Sequence, residues 1–183
     1  MRKSITTPIS KADIKSLKAG DRILLSGVIY TARDAAHERM VREFNEWNRF
    51  PIELKDQAIY YAGPCPAKPG EIIGSCGPTT AGRMDKYTPL LLDNGLSVMI
   101  GKGERNKEVT DAIIRNGCVY LGATGGAGAL IAECIKSSEL VCYEDLGTEA
   151  IRKLVVKDLP LVVLTDCEGN DLYQLGQKEF SKE

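Results

Sequence analysis

The stretch from Leu96 to Ser138, "LSVMIGKGERNKEVTDAIIRNGCVYLGATGGAGALIAECIKSS", decides the fold. "LSVMIG" and "CVYLGA" are short apolar runs bounded by glycine, the pattern of buried strands. Between them "NKEVTDAIIRNG" reads as a helix that stops on Asn116-Gly117, a good C-terminal cap. A glycine-rich turn then leads into a second helical segment, "GALIAECIKSS". Strand, helix, strand, turn and helix in this order imply an α/β layer with a parallel or mixed sheet.

Working outward, "EIIGSC" (71–76), "ELVCYE" (139–144) and "PLVVLTD" (160–166) read as further strands. Thr88 and Pro89 open a short helix, with Thr88 as N-cap and proline at the first helical position, and Gly95 closes it. The N-terminal third is richer in β structure. "DRILLSGVIYTA" and "QAIYYAG" read as strands around the helix "RDAAHERMVREFNEW", where Ala36, Met40, Phe44 and Trp47 form a core-facing stripe. "VVLTDCEGNDLYQL" reads as a hairpin turning at Glu168-Gly169-Asn170. Without a repeat or a low-complexity linker, the expected organisation is one domain over residues 1–183, with a β-rich and an α/β part.

The 183 residues suit one compact domain with a substantial core. A composition of 43% hydrophobic and 27% charged residues is that of an ordinary soluble protein. A net charge of −1, with Lys and Arg scattered, leaves no electrostatic footprint for nucleic acid. No apolar run approaches a membrane span, and none follows the basic start, so no membrane association and a cytoplasmic location are expected. The six cysteines form no CxxC pair, and we expect buried or incidental thiols rather than a metal site or a disulfide framework.

Chemistry concentrates in a few turns. "GPTTAGRMD" (77–85) packs two hydroxyls, two glycines, an arginine and an aspartate into a strand-to-helix junction. Either Thr79 or Thr80 suits a helix cap. The same junction suits an anion, because free N–H groups gather there and Arg83 falls four residues past Thr79. A guanidinium fork beside hydroxyls matches a carboxylate. Thr79 moves a proton only with a base nearby, and the chain shows no obvious one.

Arg33 and His37, the single histidine, lie four apart where a strand gives way to a helix. Arg33 reads as a surface charge or as a ligand contact, and His37 as structural or as a general base. Lys102 stands between glycines at a strand's end, where ligands of open α/β sheets gather. The glycines 122, 125, 126 and 128 fit neither nucleotide-binding fingerprint, and close packing accounts for them. Residue by residue, the set holds a small dianion without an evident base, nucleophile or metal to transform it.

"TARDAAH", "GPTTAGRMD", "IGKG", "GATGGAGALIA" and "YEDLGTEAI" stand here in an order that resembles the β subunit of two-subunit class I fumarate hydratases. The pattern is also similar to the C-terminal half of single-chain class I fumarases, and it runs from "ITTPI" (5–9) to "DCEGNDLY" (166–173). The resemblance implies a swivelling β/β/α domain with a mixed sheet and reversible hydration of fumarate to L-malate, a tricarboxylic acid cycle step. It implies an oxygen-sensitive [4Fe–4S] cluster bound by the partner α subunit and not by this chain. Arg33, Arg83 and Lys102 then correspond to contacts with the substrate carboxylates, and Thr79 to the proton-transfer residue, whose partner carboxylate comes from the α subunit. A hetero-oligomer is expected, with a homodimer of heterodimers as one arrangement. The L-tartrate dehydratase β subunit is the nearest alternative, and a stand-alone dicarboxylate-binding module is the alternative of another class.

Overall fold

The computed structural model describes residues 2–180. Seven strands form one sheet: β1 (Arg2–Thr6), β2 (Arg22–Thr31), β3 (Ala58–Tyr60), β4 (Val98–Gly101), β5 (Val119–Gly122), β6 (Ile135–Cys142) and β7 (Ile151–Thr165). The helices are α1 (Lys11–Ser16), α2 (Asp34–Trp47), α3 (Thr88–Asp93), α4 (Lys107–Asn116), α5 (Gly128–Cys134) and α6 (Leu172–Phe180). The architecture is α/β, as the alternation of runs predicts. The β-rich and α/β parts read from the sequence share this sheet.

Strands β2, β3, β4 and β5 are parallel neighbours in that order. The long β7 runs antiparallel to both β5 and β2 and closes the five into a barrel. Closure removes the unpaired edges that an open sheet exposes. Strand β1 adds beside the first half of β2, and β6 beside the first half of β7.

Alternation along the strands separates two cores. Ala58, Tyr60, Val98, Ile100, Val119 and Leu121 join one apolar cluster with Ile14, Leu17, Leu25 and Val163. Ile59, Tyr61, Met99 and Tyr120 face the other way, onto Ala36 and Met40 of α2, Leu91 of α3 and Ile113 of α4. Strands β3, β4 and β5 are therefore each buried on both faces, which is why their sequences are continuously apolar rather than alternating. Among the described residues no helix is long and apolar enough to cross a membrane.

Several local readings are corrected. Residues 71–76 are irregular rather than a strand: prolines 64, 66 and 69 break the approach, and the segment makes scattered backbone bonds, such as Gly74 N–H to Cys65 O and Cys65 N–H to Ser75 O, instead of a ladder. Helix α5 ends at Cys134, and "IKSS" belongs to β6, drawn into pairing with β7. Trp47 is 57% exposed, so the core-facing stripe of α2 ends before it. Thr88 is the first residue of α3 rather than its cap, and its Oγ1 donates to Met84 O at 2.8 Å. The turn at 168–170 forms as expected, with Gly169 at φ +84°, but its return arm is one bridge, Thr165 to Asp171, before α6 begins.

Glycine at 128 is required by close packing. A methyl there would collide with Ser75 Oγ and lie 3.0 Å from Gly77 N, where the loop and the glycine-rich turn meet and Cys76 N–H donates to Gly128 O at 3.0 Å. We expect Gly128→Ala to lower the unfolding free energy by about 1–3 kcal/mol, as overpacked sites do. A urea titration would measure it, and an unchanged midpoint would refute the packing assignment.

Candidate active site

The carboxyl ends of β2, β3, β4 and β5 form one rim of the barrel, because these strands are parallel. Ligands of α/β sheets gather at such ends. Arg33 follows β2, Lys102 follows β4, and the glycine-rich turn follows β5. The "GPTT" segment docks across the same rim: Thr79 N–H donates to Tyr61 O at 2.7 Å, and Thr80 makes an isolated parallel bridge with Lys102. Ala81 N–H then donates to Lys102 O at 2.8 Å.

The expected cap at this turn is corrected. Only a four-residue 3₁₀ turn, Ala81–Met84, follows, and Thr80 at its cap position makes no capping bond. A turn this short supplies little helix dipole. The half-buried Thr79 is placed by its backbone rather than by a capping role.

Two of the cations meet at one oxygen. Asp34 Oδ2 lies 3.1 Å from Arg33 Nε and 3.9 Å from Arg83 Nη1. Partial burial pushes the Asp34 carboxyl up, but its own backbone amide and the two guanidiniums outweigh that and hold it below the ordinary carboxylate range. Arg83 is 57% exposed, whereas Arg33 is three-quarters buried. Lys102 is exposed and stands apart from this pair. A methyl on Gly125 would come 3.7 Å from its Nζ, and a hollow of about 260 Å³ opens there between Thr124, Val162, Leu164 and Tyr173. Larger hollows, of about 350 and 740 Å³ around Cys65, Ile72 and Ile73 and of about 350 Å³ beside Phe44 and Phe50, include none of Arg33, Thr79, Arg83 and Lys102. Convergent charge, not volume, locates the candidate site.

A buried network stands behind the rim. Arg105, with a fully buried side chain, donates from Nε to Asp85 Oδ1 at 2.6 Å and from Nη2 to Thr88 Oγ1 at 2.7 Å. Its guanidinium lies over Tyr61 and Tyr120, 5.3 and 5.0 Å from the ring centroids. Asp85 Oδ2 accepts from Asn106 N at 2.8 Å. Asp85, from the turn carrying Thr79 and Arg83, is thereby bolted to the loop carrying Lys102. Removing one partner of such a pair leaves an uncompensated buried charge and costs about 3–5 kcal/mol.

Sequence reasoning singled out neither Asp85 nor Arg105, nor Asp34 and Glu149, which flank Arg33. Asp34, Asp85 and Glu149 stand inside the quoted motifs "TARDAAH", "GPTTAGRMD" and "YEDLGTEAI", with no role assigned to them. Arg105 follows "GKG" as an ordinary-looking charge, and nothing local marks it as buried.

His37 is a core residue. Its Nδ1 lies 3.0 Å from Arg33 O, and since a carbonyl only accepts, Nδ1 carries the proton. Nε2 has no partner among the described residues, and the ring packs edge-on against Tyr61. Burial pulls its pKa down from 6.5 to about 4.

The cysteines do not assemble a metal site. Burial pushes the thiols of Cys76 up to about 12 and of Cys118 to about 11, which disfavours the thiolate form that ligates metal. Among the described residues no group of three His, Cys, Asp or Glu is placed to hold a metal ion. These side chains do not fit a [4Fe–4S] cluster held by this chain.

The chain is thus an α/β protein whose mixed barrel brings two arginines together on one carboxylate at its parallel rim. Residues 2–176 match the family described as Fumarase C-terminus, and the chain belongs to that family. It is 43% identical over 165 residues to the anaerobic class I fumarate hydratase of Escherichia coli, covering 89% of this chain and 30% of that protein. It is 39% identical over 170 residues to fumarate hydratase 2 of Leishmania major, covering 91% and 30%. The chain thus spans about 30% of the length of these fumarate hydratases. Against the putative L(+)-tartrate dehydratase subunit beta of Methanocaldococcus jannaschii it is 36% identical over 181 residues, covering 95% of this chain and 93% of that one.

The buried histidine makes stability depend on pH. Its folded pKa, about 4, lies below the ordinary 6.5, so the unfolded chain takes up the extra proton between those values. Stability from this group is complete above about pH 6.5 and falls by about 3 kcal/mol as pH drops to 4. Arg105 and Asp34 are the charges acting on the ring. Urea unfolding of the native chain and of His37→Gln should show a shallower pH dependence for the variant across this window. Parallel curves would refute the assignment.

Proposed function

We propose that this chain is the β subunit of a two-subunit class I fumarate hydratase, a hydro-lyase that interconverts fumarate and L-malate. The observation that carries the reading is the convergence of Arg33 and Arg83 on one carboxylate oxygen at the parallel rim. Guanidiniums so placed suit a dicarboxylate substrate. Arg33, Arg83 and Lys102 hold and orient the dianion, and their positive charge opposes the charge that builds on it in the transition state. Thr79, fixed at the rim by Tyr61 O, moves a proton at its hydroxyl against a carboxylate from the partner. A [4Fe–4S] cluster belongs, in this reading, to the partner α subunit. The fold is the swivelling β/β/α type over residues 1–183, acting in the cytoplasm within a hetero-oligomer.

The relatives support different parts of this reading. Near-complete coverage of a protein named as a β subunit supports a separate subunit. Higher identity to fumarate hydratases supports fumarate over tartrate. L-tartrate dehydration is the second reading, favoured by that same full-length correspondence.

The deciding experiment co-expresses the chain with a cluster-bearing partner, reconstitutes the cluster anaerobically, and assays fumarate hydration beside L-tartrate dehydration. Fumarate turnover by the complex alone is expected. A preference for tartrate would overturn the substrate, and full turnover by the isolated chain would overturn the subunit reading. In the complex, Arg83→Ala should raise the KM for malate about tenfold or more, since a charged contact with the substrate is lost. Thr79→Val should lower kcat more than it raises KM. Unchanged kinetics in both would show the site to be misplaced.

A further inference from the structure

We propose that Glu149 is the positioning residue for Arg33, gripping one edge of its guanidinium so that the two terminal amines serve as the donors for a ligand carboxylate. The role of Arg33 as a ligand contact rests on the function proposed above. The placement of its side chain does not.

Glu149 ends the 3₁₀ segment Glu144–Glu149 and immediately precedes Ala150 and β7. Because β7 runs antiparallel to β2, its start lies where β2 ends, and Arg152 pairs with Thr31. Thr31 Oγ1 accepts from Arg152 N at 3.1 Å and lies 3.4 Å from Ala150 O, which ties the residue after Glu149 to β2 two residues before Arg33. The antiparallel closure therefore delivers a glutamate from the far end of the chain to the base of α2.

There its two oxygens divide the work. Oε2 accepts from Ala35 N at 2.7 Å, and Oε1 lies 3.2 Å from Arg33 Nε. Arg33 occupies the N-cap position of α2 and caps it with no side-chain bond, so Glu149 supplies that acceptor from outside the helix. Holding Oε2 on a helix amide fixes Oε1 against the guanidinium. Nε donates its hydrogen bond to Asp34 Oδ2 at 3.1 Å, an oxygen that also faces Arg83, and Glu149 adds the second, ionic contact on this edge. A guanidinium has five N–H donors, one of them at Nε. With Nε held by carboxylates, the four on the terminal nitrogens remain for an end-on bidentate grip.

The Tyr143–Glu149 segment is itself fastened along α2. Arg39 donates through both terminal nitrogens to Asp145, at 2.7 and 2.6 Å, and packs over the Tyr143 ring. Tyr143 OH donates to Glu43 Oε2 at 2.6 Å. Tyr143 takes a left-handed φ of +62°, unusual for a bulky residue, and its bond to Glu43 offsets the strain. Gly63 completes the arrangement, since a methyl there would come 3.1 Å from both Arg33 Cδ and Thr148 O. Arg33 and Glu149 are each about three-quarters buried, a setting in which a pair contributes more orientation than stability.

Glu149→Gln tests the proposal, because the amide oxygen retains the bond to Ala35 N while the negative charge facing Arg33 is lost. In the ¹⁵N-labelled chain alone, solvent exchange of the Arg33 Nε–H should speed up about tenfold, the equivalent of one weakened charge-assisted bond. In the complex with its partner, the KM for malate should rise about tenfold with kcat nearly unchanged, and Arg33→Ala/Glu149→Gln should be no worse than Arg33→Ala. Asp145→Asn, which loosens the segment and leaves Glu149 intact, should move both readouts the same way and serves if Glu149→Gln does not fold. Unchanged Nε–H exchange, or effects that add to those of Arg33→Ala, would overturn the positioning role. Arg33→Ala without effect on KM would instead overturn the substrate contact, and the exchange measurement would still judge the placement.

Discussion

The antiparallel pairing of β7 with β2 is the constraint on which the rest of the molecule depends. Four parallel strands alone would leave two edges open and two apolar faces to cover. The fifteen residues of β7 close both edges at once, pairing with β2 along its length and with β5 at its end. Closure seals one apolar cluster and leaves the other for α2, α3 and α4 to cover. It also reverses direction at the right place: an antiparallel strand begins at the rim where its parallel neighbours end. Glu149 thereby reaches Arg33 across most of the chain's length.

The rim is stiffened from beneath by one buried ion. The Arg105 side chain has no exposed surface, yet it meets a carboxylate, a threonine hydroxyl and two aromatic faces. Bonds to charged groups are stronger than neutral ones, and a buried guanidinium with fewer partners would be strongly unfavourable. The network therefore holds one arrangement of the "GPTTAGRMD" turn against the "GKG" loop. His37 does related work on the other side, with its ring locked to Arg33 O and kept neutral by burial. The exposed side chains of Arg83 and Lys102 stand on elements that these buried anchors hold.

Much of the fold was legible because its strongest elements carry their own signals. The helix α4 has an Asn106 cap that accepts from Val109 N and a Gly117 in the left-handed region, both local chemistry. Strands β4 and β5 are apolar throughout and bounded by glycine. The misreadings fall where tertiary contacts override local preference. "IKSS" continues a helical pattern, but pairing with β7 takes it. "EIIGSC" has the composition of a strand, but its neighbours' prolines and the approach of Gly74 to the carbonyls of Cys65 and Pro66 leave it irregular. At the rim, Thr79, Arg33, Arg83 and Lys102 were legible as residue types in motif order. The burial and pairing of Arg105 and Asp85 beneath them were not, because a charged residue near a turn looks the same whether solvent or protein surrounds it.

What the sequence by itself determined is the alternation of strands and helices, the turns that punctuate them, and the order of motifs that identifies the family. These follow from periodicity, capping and backbone freedom, which act over a few residues. The tertiary structure alone decided that the sheet closes, that Arg33 and Arg83 converge on Asp34 while Lys102 stands apart, and that Glu149 arrives beside Arg33. The reason is physical: register and strand direction bring together groups far apart in the chain, and no local spacing encodes which charges will share one oxygen.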